Sequence, residues 1–92
     1  MIVSIRHKGL KQYYVDGNGS KLPAKQLSKI RRIFDALDAI ASETDITALG
    51  MGAHKLKGEY AGFWSLSVTG NYRIIFRFVP PDVHDVDYLD YH

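Results

Sequence analysis

The amino-terminal half of the chain has the spacing of amphipathic helices. Five apolar residues of one segment recur every three or four positions and would share one helix face: Leu27, Ile30, Phe34, Leu37 and Ala41. Because Pro23 suits the first turn of a helix, we predict one long helix from Pro23 to about Ala41. We also predict a short strand at residues 2–5, a brief helix at residues 9–16 and a further helical turn after the capping box of residues 42–45.

The pattern changes from helical to alternating after residue 53. Every second residue is apolar on both sides of Gly70-Asn71, which predicts a β-hairpin. A three-residue loop keeps the apolar side chains of both strands on one face, whereas a two-residue loop would mix the faces. The three-residue loop makes these cross-strand pairs: Val68 with Tyr72, Leu66 with Ile74 and Trp64 with Phe76. We therefore predict this loop, with one of its residues in the left-handed region.

A third long strand follows Pro80-Pro81-Asp82, because prolines cannot continue a central strand. One register brings opposite charges and apolar residues together, and it makes these pairs: Val79 with Val83, Arg77 with Asp85, Phe76 with Val86 and Ile74 with Tyr88. The opposite face then carries polar side chains, at Ser65, Ser67, Arg73, Arg77 and Tyr91. We predict one α+β domain over residues 1–92, an antiparallel β meander with the amino-terminal helices packed on one face.

Composition favours a cytoplasmic protein. The chain has no cysteine, which excludes disulfides and thiolate zinc sites and suits a reducing compartment. The first five residues lack the basic and apolar regions of a signal peptide, and no stretch approaches the roughly 20 apolar residues that a membrane span needs. We expect no membrane association.

Positive charge is concentrated near the amino terminus. The net charge is only +2, but residues 1–34 hold eight lysines and arginines against one acid. Such a surface suits the binding of nucleic acid phosphates, although it is equally typical of solvated helices. The cations that would dock on RNA from the predicted helices are Lys8, Lys11, Lys25, Lys29, Arg31 and Arg32.

Two short clusters and one strand arginine have the side chains that RNA cleavage needs. RNA carries its own nucleophile, the 2′-hydroxyl, so an enzyme must supply a general base, a general acid and cations around the phosphate. The candidates are His54, Lys57, Arg73, Asp90, Tyr91 and His92. By type alone, His54 is more often a surface histidine and a chain end more often frays. The spacing of the four histidines does not favour a metal site.

Four segments of the sequence resemble the HigB-type toxins of the RelE superfamily. Residues 54–68 resemble the family block H-x-L-K-G-x-x-x-G-x-W-S-[IV]-x-V, and residues 71–78 resemble N-[WY]-R-I-x-F-x-F. Residues 85–92 are similar to the terminal D-V-x-Y-x-D-Y-H, and residues 5–11 resemble the basic opening of the family. The resemblance covers nearly the whole chain.

The resemblance implies a ribosome-dependent mRNA interferase, an endoribonuclease toxin of a type II toxin–antitoxin system with a RelE-like fold. It implies a helix-turn-helix antitoxin of the HigA type as partner, with no metal and no small-molecule cofactor. The catalytic positions that it implies are His54, Asp90, Tyr91 and His92, with Lys57 and Arg73 as phosphate ligands. Two rivals are a ParE-like toxin that binds a protein target without cleaving RNA, and an RNA-binding module without catalysis.

Strand alternation makes a difficulty at the chain end. It puts Asp90 and His92 on the helix-packed side and Tyr91 beside Arg73 on the other side. For Tyr91 and His92 to reach one phosphate, the last strand must stop or bend near Leu89. With that bend, we expect His54, Arg73 and the terminal tripeptide to converge on one face of the sheet.

Overall fold

A four-stranded antiparallel sheet forms the carboxyl-terminal half of the protein in the computed structural model, which describes residues 1–90. The strands lie in sequence order: β1 (His54–Lys55), β2 (Phe63–Ser67), β3 (Tyr72–Val79) and β4 (Asp82–Asp90). Each strand pairs antiparallel with its neighbour, which confirms the predicted meander.

Three α-helices precede the sheet: α1 (Lys8–Asp16), α2 (Leu27–Ala39) and α3 (Glu43–Ala48). The predicted long helix is therefore shorter at both ends. Pro23 has extended backbone before a 3₁₀ turn at Ala24–Gln26. At the other end, the Ala41 and Ser42 N–H groups donate to the Asp45 carboxylate, so the chain leaves α2 to build the capping box of α3. Within residues 1–90, no helix is long and apolar enough to cross a membrane.

One hydrophobic core fills the space between the helices and one face of the sheet. Helix α2 contributes four buried side chains at helical spacing, and α1 and α3 each add a fully buried one. The largest fully buried side chains of this core are Leu10, Ile30, Ile33, Phe34, Leu37, Ile46, Leu66, Ile74 and Phe76. The predicted helical stripe is thus confirmed in its centre, whereas Ala41 at its end is exposed.

The β2–β3 hairpin has the predicted register. Trp64 lies opposite Phe76 and Leu66 opposite Ile74, so the apolar faces coincide. The predicted left-handed residue is wrong, since the loop residues 69–71 all lie outside that region. The Val68 and Thr69 N–H groups both donate to the Tyr72 carbonyl, at 2.9 and 3.2 Å, and this sharing closes the loop without a left-handed residue.

The β3–β4 pairing departs from the prediction near its turn. Val79 lies opposite Asp82, not Val83, and Arg77 lies opposite His84, not Asp85. The register shifts at a β-bulge around Asp85, whose φ is 54°, and the predicted pairing of Ile74 with Tyr88 is regained beyond it. The predicted ion pair between Arg77 and Asp85 forms despite this shift, because the Asp85 carboxylate accepts from Arg77 Nε at 2.7 Å. The bulge re-aims this side chain, as bulges commonly do.

The predicted first strand lies along the outer edge of β4. Ile2 and Ile5 make isolated parallel bridges to Val83 and Val86. The Ile2 N–H points away from β4 and donates to the Asp38 carboxylate of α2 at 2.8 Å. This segment therefore joins the sheet edge to the helical layer.

Candidate functional site

The face of the sheet opposite the helices, here called the open face, carries the polar side chains that alternation predicts. Ser67 lies opposite Arg73, and Ser65 lies opposite both His54 and Ile75 on neighbouring strands. Cross-strand partners share a face, so these five residues belong to one surface. The surface is not simply solvated, because Ser65 and Ile75 are fully buried.

Arg73 lies across the two serines of β2. Its Nη1 donates to Ser67 Oγ at 3.1 Å and lies 3.5 Å from Ser65 Oγ. The guanidinium is thereby held on the open face in a half-buried position. A planar group with several N–H donors in this setting is suited to a phosphate.

His54 lies on β1, the edge strand of the sheet, and belongs to the open face. Its side chain is exposed, and its Nδ1 lies 2.8 Å from the carbonyl oxygen of Gly52. A carbonyl oxygen can only accept, so Nδ1 carries the proton and donates it. The neutral imidazole then has its lone pair on Nε2. This arrangement presents Nε2 as a base, or as an acid once it is protonated.

The distance between His54 and Arg73 follows from the sheet. They lie on β1 and β3, two strand spacings or about 10 Å apart across the sheet, and Arg73 lies two residues or about 7 Å along β3 from Ile75, the residue aligned with His54 through Ser65. Both residues belong to the same face of the sheet. The structure therefore places the acid/base candidate and one of the two candidate phosphate ligands on one surface.

Lys57 follows β1, and Asp90 is the last described residue of β4. Lys57 is exposed and immediately precedes a 3₁₀ turn at Gly58–Tyr60, after the end of β1. Asp90 is exposed and pairs with Tyr72, so β4 keeps its register through Asp90, where the described part of the strand ends. The stop or bend predicted near Leu89 therefore stays a prediction. Alternation puts Asp90 on the side of the helices.

Two tyrosines stack beside Asp90. The rings of Tyr72 and Tyr88 are nearly parallel, with centroids 5.2 Å apart, and the Tyr88 hydroxyl donates to Gln26 Oε1. Burial raises the pKa of Tyr88 to about 12, and Tyr72 and Asp90 add to the shift. Tyr88 therefore remains protonated at neutral pH and has a packing role.

Tyr91 and His92 lie outside the residues that the structure describes. Their predicted convergence with His54 and Arg73 stays a prediction.

Comparison with known proteins identifies the family. A family model described as the RelE-like toxin of the type II toxin–antitoxin system HigB matches residues 3–92. The endoribonuclease HigB of Proteus vulgaris is 40% identical over 95 residues, and the match covers 100% of both chains. This chain belongs to the HigB-like toxin family. The family that the sequence motifs indicated is thereby confirmed.

Solved structures confirm the RelE-like fold of this HigB-like toxin. The YoeB/ParE toxin from Agrobacterium tumefaciens matches with a TM-score of 0.59 and 19% identity, over 99% of this chain and 96% of that one. The YoeB dimer from Staphylococcus aureus matches with a TM-score of 0.54 and 17% identity, over 99% and 94% of the two chains. At these identities, the likeness concerns the fold alone.

The predicted docking cations of the toxin lie in the helical layer. Lys8 and Lys11 are exposed on α1, Lys25 is exposed in the 3₁₀ turn, and Arg31 and Arg32 are exposed on α2, whereas Lys29 is half-buried. Because the helices cover the other face of the sheet, these cations are not part of the surface that holds His54 and Arg73. They form a separate basic region.

The residues that support the candidate site have no role in the sequence predictions. Ser65 and Ser67 are predicted only as polar side chains of the open face, and no prediction covers Gly52. The signal for the serines was their position opposite an arginine on a face without a second core. For Gly52, the signal was a glycine two residues before the candidate histidine.

Proposed function

We propose that this HigB-like toxin is an endoribonuclease that cleaves mRNA on the ribosome, with the 2′-hydroxyl of the RNA as nucleophile. The observation that carries the proposal is the hydrogen bond of His54 Nδ1 to the Gly52 carbonyl at 2.8 Å, on the face that also holds Arg73. The hydrogen bond orients the His54 imidazole for proton transfer, and Arg73 offers a cation to the phosphate. The name of the Proteus vulgaris relative, an endoribonuclease, supports the same activity.

The proposed chemistry needs one base, one acid and cations. The base removes the proton of the 2′-hydroxyl, which attacks the adjacent phosphorus, and the acid protonates the departing 5′-oxygen. We assign these roles to His54 and His92 without choosing which is which. Arg73 and Lys57 stabilise the charge that develops on the phosphate oxygens. Tyr91 stacks on a base or donates a proton, and Asp90 orients a histidine or the hydroxyl.

These residues supply every proton transfer and charge that the reaction requires, so we propose that the toxin uses neither a metal nor a small-molecule cofactor. As a member of a type II toxin–antitoxin family, the chain has an antitoxin partner. We propose that this partner is a helix-turn-helix protein of the HigA type. Because translating ribosomes lie in the cytoplasm, we propose that the toxin acts there.

Cleavage by the purified toxin on programmed ribosomes tests the proposal. We expect a cut within the mRNA and a 5′ fragment that ends in a 2′,3′-cyclic phosphate, the product of attack by the 2′-hydroxyl. Deleting His92 should lower the cleavage rate by about 10²–10⁴-fold, the share of one acid/base group. The melting temperature of this deletion variant and its ribosome binding should stay the same, because a terminal residue buries little surface.

The outcomes separate the rival functions. A wild-type toxin that arrests growth but leaves mRNA intact contradicts the proposal and favours a ParE-like protein target. Binding to RNA without cleavage favours a non-catalytic module. If the toxin cleaves and the His92 deletion cleaves at the full rate, His92 loses its assigned role and His54 and Tyr91 remain.

A further inference from the structure

The turn before β1 has an unusual backbone. Gly50, Met51 and Gly52 have successive φ values of 71°, 52° and 64°, so three consecutive residues are left-handed. This conformation is unfavourable for a residue with a Cβ atom such as Met51, and it persists only where the surroundings hold it. Here the Met51 carbonyl accepts from the Ser67 N–H at 2.8 Å, which ties the turn to the end of β2.

Gly52 contacts both the histidine and the serine. Its carbonyl accepts the Nδ1 proton of His54, and a Cβ atom at this position would lie only 2.9 Å from Ser67 Oγ. Real Cβ atoms do not approach an oxygen that closely, so the serine hydroxyl fills the space that a side chain of residue 52 would need. The turn that orients His54 therefore packs directly against the Ser67 hydroxyl.

The same hydroxyl accepts the Arg73 guanidinium. Nη1 donates to Ser67 Oγ at 3.1 Å, a shorter contact than the 3.5 Å to Ser65 Oγ. Ser67 thus meets the turn of the acid/base candidate on one side and the phosphate ligand on the other. A hydroxyl can serve in this way because its oxygen accepts from the guanidinium through a lone pair while its volume supports the turn.

We propose that Ser67 is a positioning residue for the cleavage reaction, which sets the placement of the Arg73 guanidinium relative to the turn that orients His54. The proposal rests on the proposed function, since it assigns those two groups to one phosphate. Small displacements between groups that act on one reacting centre are costly in rate. In this proposal Ser67 acts through Arg73 and not on the RNA directly.

A matched pair of variants tests the role of the hydroxyl. Thr and Val have nearly the same shape and both suit a β-strand, so Ser67→Thr and Ser67→Val differ in the hydroxyl alone. We expect Ser67→Thr to cleave at close to the wild-type rate and Ser67→Val to lose about 10- to 100-fold in kcat, the range for a hydrogen bond to a charged group. KM for the programmed ribosome should stay unchanged in both, and thermal melts verify that the pair is equally folded.

A double-mutant cycle with Arg73→Ala decides whether the effect passes through the guanidinium. Without Arg73, the Thr and Val variants should cleave at equal rates, within about twofold, because the group that Ser67 positions is gone. If Val is as active as Thr with Arg73 present, or if the Val loss is undiminished without Arg73, the positioning role is wrong. In either case a cleaving wild-type toxin leaves the proposed function intact. A wild-type toxin that does not cleave overturns both.

Discussion

Replacement of His54 tests the acid/base assignment, because the two ring nitrogens have different tasks. Nδ1 donates to the Gly52 carbonyl, and Nε2 is the atom proposed to exchange a proton with RNA. His54→Asn keeps an N–H near the position of Nδ1 but has nothing at Nε2. His54→Gln places an amide near Nε2, and it has no donor at the position of Nδ1. Neither amide transfers protons near neutral pH.

We expect both variants to lose about 10²–10⁴-fold in cleavage rate, the usual contribution of one acid/base group. At about 1.36 kcal/mol for each factor of ten, this loss is about 2.7–5.4 kcal/mol of transition-state stabilisation. The free energy of unfolding should change by no more than about 0.5 kcal/mol, because the side chain is exposed. His54→Asn should be the more stable of the two, since it can still bond to Gly52.

The assay is single-turnover cleavage of one mRNA on programmed ribosomes, with chemical denaturation of the same preparations. If His54→Gln alone lost activity, by about tenfold, and His54→Asn stayed active, the hydrogen bond to Gly52 and not proton transfer would explain the loss, which would contradict the acid/base role. Full activity in both variants would refute it outright. Loss of activity together with unfolding would make His54 a structural residue.

Two further predictions concern the basic helices and the β-bulge. Replacing Lys25, Lys29 and Arg32 by Gln should weaken ribosome binding and flatten its salt dependence by up to about 0.9 per lost phosphate contact. An unchanged slope would mean that these cations are merely solvated. Arg77 holds the pKa of the Asp85 carboxyl below its usual range, so Asp85 stabilises the fold above the unfolded pKa of about 3.9 and this contribution is lost as pH falls through the lowered pKa. Asp85→Asn, which tolerates the positive φ, should therefore be less stable than wild type at neutral pH, and the difference in denaturation free energy should shrink in acid; a constant difference would contradict this reasoning.

The sequence predicted the sheet well wherever alternation alone decides the structure. The pairing of Leu66 with Ile74 was predictable because a slip by one residue would have exposed the whole apolar face. The bulge at Asp85 was not predictable, because it involves a contact with the other end of the chain: the Asp85 N–H donates to Ser4 Oγ at 2.8 Å. Strand pairing rules carry no information about such a contact.

The site was predictable in its residue types but not in its supports. Alternation and family motifs together placed His54 and Arg73 on one surface, as the register shows. The stop or bend of β4 predicted near Leu89 stays a prediction, because the described part of the strand ends at Asp90, which still pairs with Tyr72. The link through Gly52 depends on a left-handed backbone and a close approach to a serine, which single residue preferences do not specify.

The central claim is that the 2′-hydroxyl of the mRNA is the nucleophile and that the toxin supplies its base and acid. The direct measurement is cleavage of an mRNA that carries one 2′-deoxynucleotide at the mapped cleavage site, on programmed ribosomes, beside the all-ribose mRNA. We predict that cleavage at that bond disappears while the toxin still binds the ribosome with unchanged affinity. Continued cleavage of the deoxy-substituted bond would show that another nucleophile attacks the phosphate, and it would contradict the proposed roles of His54 and His92.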